Sequence, residues 1–127
     1  MSKKSTKLSD YTPNSDKKEK AIQALQDVFQ NMNNVLGIVR ASLLNTPIFY
    51  QTEKVFKTVN LLVFETNKRG LDLNEVKSMT LSTVELSKSI TKAKATNPLI
   101  SEDLIIAITK TTSEANRALK ITEEALK

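Results

Sequence analysis

The residues able to do chemistry in this chain are few in kind. Its 127 residues include no histidine and no cysteine. That removes imidazole acid–base catalysis, thiolate nucleophiles, disulfides, zinc-finger ligation and haem ligation together. Any reaction would rest on Asp, Glu, Lys, Ser, Thr or Tyr. Ser89-Ile90-Thr91-Lys92 has the Ser-x-x-Lys spacing that lets a lysine one helical turn away take a serine proton. The Ser-Asp-Asn and Lys-Thr-Gly elements that accompany such a pair are missing, so these residues read as a solvated helix face. Asp72-Leu73-Asn74 opens like a calcium loop, but the sixth position is Lys77 rather than Gly and the twelfth is Thr83 rather than Glu. A helix cap accounts for them better. Di-iron bundles need Glu-x-x-His pairs, and a phosphate-cradling loop needs more glycine than Gly37 and Gly70 provide. No catalytic residue, metal ligand or cofactor is assigned, and the expectation is a non-enzymatic protein without a small-molecule substrate.

Charge is the next candidate for function, and its position matters more than its sum. The formal net charge is +5, from 19 Lys+Arg against 14 Asp+Glu. Residues 1–20 hold six lysines against Asp10, Asp16 and Glu19, so most of the excess sits at the start and the rest of the chain is nearly neutral. Lys3, Lys4 and Lys7 are the candidate nucleic-acid contacts, on a segment where Tyr11 is the only aromatic residue. The stretch has no apolar run behind its lysines, as a secretory signal would. The longest charge-free stretches, 28–39 and 41–52, fall short of the about 20 apolar residues of a membrane span. An intracellular setting is expected. Sixteen Lys to three Arg, with frequent Asn, fit an AT-rich coding genome such as that of a low-GC bacterium or its phage.

These residues must be positioned by helices. With 2 Gly, 3 Pro, six aromatic residues and no Trp, the composition argues against a turn-rich β-sandwich or barrel. Residues 1–14 lack periodicity and are read as a flexible basic leader, with residues 15–127 forming one domain. The first helix is expected from Ser15 or Asp16, with a seam of Ile22, Leu25, Phe29, Met32, Leu36, Val39 and Leu43 widened by Ala21, Val28 and Val35. It stops before Pro47, and Thr46 caps the second helix. There the seam is Phe49, Thr52, Phe56, Val59 and Val63, flanked by Ile48, Val55 and Leu62; Lys68, Arg69 and Gly70 end it. Asp72 caps the third helix, whose seam runs Val76, Met79, Thr83, Leu86, Ile90 and Ala93 to Asn97-Pro98. Ser101 caps the fourth, with Ile105, Ile108, Thr112, Ala115, Leu119, Thr122 and Leu126. Its Ala- and Thr-rich middle predicts close approach of a neighbour. Short connections between long helices give an all-α, up-down-up-down four-helix bundle. A hairpin turn between Thr46 and Pro47 sets residues whose numbers sum to about 93 level, pairing Arg40 with Glu53.

Three features exceed what a bundle requires. Tyr50, Leu61 and Phe64 fall at i, i+11 and i+14, one line along the second helix that Lys57 shares. This line is either wedged between neighbours or it meets another chain. The first helix carries Gln23, Gln26, Gln30, Asn31, Asn33 and Asn34 in place of a Lys/Glu face, with Ile38 opposite its seam; amides tolerate a wet interface better than charges do. Gly37 sits mid-helix, by drift or because another helix comes close. The sequence therefore reads as an interaction protein, self-associating or binding a helical partner, with Tyr50, Lys57, Leu61 and Phe64 as the contact residues.

Overall fold

Four helices follow one another, α1 (Pro13–Ser42), α2 (Pro47–Arg69), α3 (Leu73–Lys94) and α4 (Glu102–Ala125). They come from a computed structural model that describes residues 13–127, with side chains from residue 16, and no strand occurs among the described residues. Lys3, Lys4 and Lys7 lie outside the described residues.

Local chemistry sets each boundary. α1 starts at Pro13, two residues ahead of the expected Ser15, because a proline that would stop a helix fits its first turn. After Ser42 the chain turns through Asn45, whose φ of 67° is a conformation that Asn tolerates better than most residues. Thr46 then works in both directions. Its Oγ1 accepts from the Phe49 N–H at 3.2 Å and donates to the Leu43 carbonyl at 2.6 Å. At the end of α2 the Gly70 N–H donates to the Thr66 carbonyl at 2.9 Å. Gly70 has φ 92° and ψ 179°, a positive-φ but extended conformation rather than the left-handed helical one expected. Asp72 and Ser101 cap α3 and α4 by accepting from the N–H groups of Glu75 and Leu104, each at 3.2 Å.

Each helix packs on the next, and α4 closes the ring on α1. This is the up-down-up-down four-helix bundle. Interhelical ion pairs report the register. Arg40 lies 3.9 Å from Glu53 across α1–α2, as the turn position implies, and Arg117 lies 3.8 Å from Asp27 across α1–α4. The α1–α4 interface is the most extensive and α2–α3 the least. Small residues explain the first: Ala107, Thr111, Ala115, Ala118 and Ala125 of α4 are buried, as are Ala21 and Ala24 of α1, so the two backbones come close.

The core is centred on Leu25, Val28, Met32, Val35, Met79, Leu86, Ile90, Leu104 and Ile108. The α3 seam is as expected through Ile90. In α4 the buried line is Leu104, Ile108, Thr111, Ala115, Ala118, Thr122 and Ala125, about half a residue's rotation from the expected one. Ile105, Thr112 and Leu119 move to its flank, and Leu126 is exposed. α2 is rotated likewise, burying Val55, Leu62 and Thr66 while Phe56 and Val63 are half-buried. Phe56 meets Phe29 of α1 with ring centroids 5.5 Å apart. Four buried threonines of the core keep their hydroxyls paired inside the fold. Thr52, Thr80, Thr111 and Thr122 each donate to the carbonyl four residues back, at 2.7–2.8 Å, which meets the requirement of a buried hydroxyl.

Candidate functional site

The rotation of α2 decides where its second apolar line goes. With Ile48, Thr52, Val55, Val59 and Leu62 turned inward, Tyr50, Lys57, Leu61 and Phe64 point away from the bundle. Tyr50, Leu61 and Phe64 are 56%, 59% and 56% exposed, and Lys57 is exposed between them. Fourteen residues of helix set the two aromatic rings about 21 Å apart along one face. Other large apolar residues are also exposed, namely Leu44, Leu81, Leu99, Ile106 and Leu126. They are spread over two connections, two other helices and the residue that follows α4, whereas α2 aligns three on one line.

Neighbouring groups fix parts of this strip. The Tyr50 hydroxyl donates to Asn45 Oδ1 at 3.3 Å, and its ring stands edge-on to Phe49 at 5.4 Å. Lys68 Nζ sits 5.2 Å from the centre of the Phe64 ring, a cation–π distance. The carboxylates of α2 are engaged at its sides, Glu53 with Arg40 and Glu65 with Arg69 at 3.0 Å. No ion pair involves Lys54, Lys57 or Lys68 among the described residues. The exposed charges of the strip are therefore all positive.

Along one edge the strip runs into a depression between α2 and α3. It has a volume of about 200 Å³ and is lined by Thr58, Leu61, Leu62, Glu65, Glu75 and Ser78; a second depression on the other side of Thr58 is lined by Lys54, Ser82 and Glu85 among others. The depression follows from the facing residues. Serine and threonine are too short to fill the seam, and no ion pair joins α2 to α3 among the described residues.

The other candidates are dispersed. Ser89 is half-buried and Lys92 exposed on α3, with no hydrogen bond between them, and Asp72 is a helix cap. No group of three Asp or Glu residues that could hold a metal ion occurs among the described residues. Ile38 does not protrude as expected but is half-buried against the core. A Cβ added at Gly37 would meet nothing within 4 Å, so no helix of this chain approaches it. Of the amides, Asn31 donates to the Asp27 carbonyl at 3.0 Å and Gln23 to Asp27 Oδ1 at 3.3 Å, while Gln30, Asn33 and Asn34 are exposed. Sequence reasoning missed Lys54 and Lys68 as members of the strip. The i, i+4 spacing of Phe64 and Lys68 was the available signal, masked by Lys68 also standing in the last turn of α2.

No protein-family model matches this chain, no curated protein matches its sequence, and no solved structure matches its fold. The surface must be read from its own chemistry. No helix among the described residues is long and apolar enough to cross a membrane.

Proposed function

We propose that this chain is a non-enzymatic interaction protein, a helical bundle whose outer α2 face docks another protein chain, either a partner or a second copy. One observation carries the reading: three large apolar side chains, each more than half exposed, aligned on one helix face. Large aromatic residues dominate binding energy at interfaces, which makes Tyr50 and Phe64 the anchors, with Leu61 between them and the Lys57 stem beside them. The lysine- and asparagine-rich composition fits the AT-rich coding genome of a low-GC bacterium or its phage, in which such a docking bundle would serve as an accessory or structural component inside the cell or in the virion.

The test is Phe64→Glu, combined with a photo-crosslinking residue at position 64 in living cells. Because the ring is exposed, the variant retains its helicity and melts within the range of a surface substitution, about 0.5 kcal/mol. Protein crosslinks from position 64 exceed those from the outward position Lys120 of α4, and any self-association in the wild type is lost in the variant. A Phe64→Glu chain that is unfolded at room temperature would rule out the surface role, as would crosslinks from position 64 no stronger than those from Lys120.

A further inference from the structure

We infer that the occupant of the α2 face is a separate amphipathic helix with acidic residues along one flank, not a second copy of this chain. This rests on the α2 face being a protein contact, as proposed above, and adds the chemistry of the partner. Three observations carry it. The exposed charges of the strip are Lys54, Lys57 and Lys68, none of them in an ion pair among the described residues. Stacking a second copy antiparallel, strip against strip, brings Lys54 and Lys57 of one copy over those of the other, and like charges brought together at an interface disfavour that pairing. The apolar residues are long enough in extent to seat a helix. Tyr50, Leu61 and Phe64 extend over about 21 Å, roughly four turns of a partner helix, alongside the depression floored by Leu61 and Leu62.

The charges also favour a peptide over a polyphosphate. Glu65, Glu75 and Glu85 line the α2–α3 seam, and they would repel a phosphodiester backbone crossing the strip on that side. A helix places its charges individually. It can turn apolar residues onto Leu61 and Phe64, carboxylates toward Lys57 and Lys68, and neutral polar groups toward Glu75 and Glu85. Lys68 already covers one side of the Phe64 ring, so docking on that ring brings the partner's carboxylates within reach of an ammonium group held in place.

The experiment uses the full chain and two synthetic amphipathic helices of about six turns, with leucines at i, i+3, i+4 and i+7. One carries glutamate along a single flank, and the other carries lysine at the same positions. Fluorescence anisotropy should show the glutamate helix binding at least about tenfold more tightly than the lysine helix, with affinity falling as salt rises. Lys57→Glu combined with Lys68→Glu should weaken binding of the glutamate helix about tenfold or more, and Phe64→Ser should weaken both peptides. Circular dichroism on each variant confirms retained helicity, which is expected for substitutions at exposed positions. Equal binding of the two peptides, with both weakened by Phe64→Ser, would overturn the acidic-partner inference and leave the protein-contact reading standing. Salt-insensitive self-association lost in Phe64→Ser would do the same. Tighter binding of single-stranded oligothymidine, or of phosphatidylglycerol vesicles, than of the glutamate helix would overturn both readings, as would no binding by either peptide from a monomeric chain.

Discussion

Replacing each of the two glycines by alanine is the same chemical change with opposite expected signs. Gly37 is exposed in the middle of α1, with φ in the ordinary negative range and nothing within 4 Å of an added Cβ. Alanine there restricts the unfolded chain and favours the helix by about 0.5–1 kcal/mol. For a chain of 127 residues that is a rise in melting temperature of about 2–5 °C. Gly70 also has open space for a Cβ, but its φ of 92° and ψ of 179° lie in a region closed to side chains. Gly70→Ala should therefore destabilise by about 1–3 kcal/mol. The register of the α1–α2 hairpin sets Gly37 level with Phe56, so the two glycines are separated by about 21 Å along the bundle. The double variant should show the sum of the single effects to within about 0.5 kcal/mol. Thermal and urea unfolding followed by far-UV circular dichroism measures all three. An unchanged or lower melting temperature for Gly37→Ala would refute the reasoning, because it would mean that position 37 is not both helical and open to a Cβ.

Other substitutions test the remaining joints. Thr46→Ala removes the cap of α2 and its second bond to the Leu43 carbonyl; a loss of about 1 kcal/mol is expected in urea unfolding. Ile90→Ala empties a fully buried position and should lower stability by about 2–5 kcal/mol, whereas Leu81→Ala, at 60% exposure on the same helix, should stay within about 0.5 kcal/mol. A double-mutant cycle on Arg40 and Glu53, whose charged groups are 3.9 Å apart and partly solvated, should yield a coupling below about 1 kcal/mol that shrinks with added salt.

Much of this architecture is legible in local chemistry. Thr46, Asp72 and Ser101 cap where their side chains permit, and the turn at Pro47 sets the pairing of Arg40 with Glu53. The rotation of each helix is less legible. In α4 two lines of apolar spacing share Ile108, Ala115 and Thr122. Side-chain size favours the line with Ile105 and Leu119, yet the fold buries Leu104, Thr111 and Ala118. Small residues win there because α1 lies close, and closeness is a property of the pair rather than of α4 alone. The same ambiguity governs the candidate site. Tyr50, Leu61 and Phe64 are visible as a line in the sequence, but a wide buried sector and an exposed strip give the same spacing. Only the inward turn of Val55 and Leu62 separates them. Lys68 joins the strip through its contact with Phe64, while its place in the sequence points to the end of the helix.

The most extensive interface in this bundle joins its first and last helices. Asp27 and Arg117, which pair across it, are far apart along the chain, so forming this interface must close a long loop before any contact there is gained. On the ribosome the order of events follows. The α1–α2 hairpin emerges early and can zip through its short turn, while the Ala24, Val28 and Val35 face of α1 waits uncovered until α4 has been made. A nascent chain stalled before Ser101 carries that face without its cover, and that is the stage of synthesis at which holding chaperones have the most to bind.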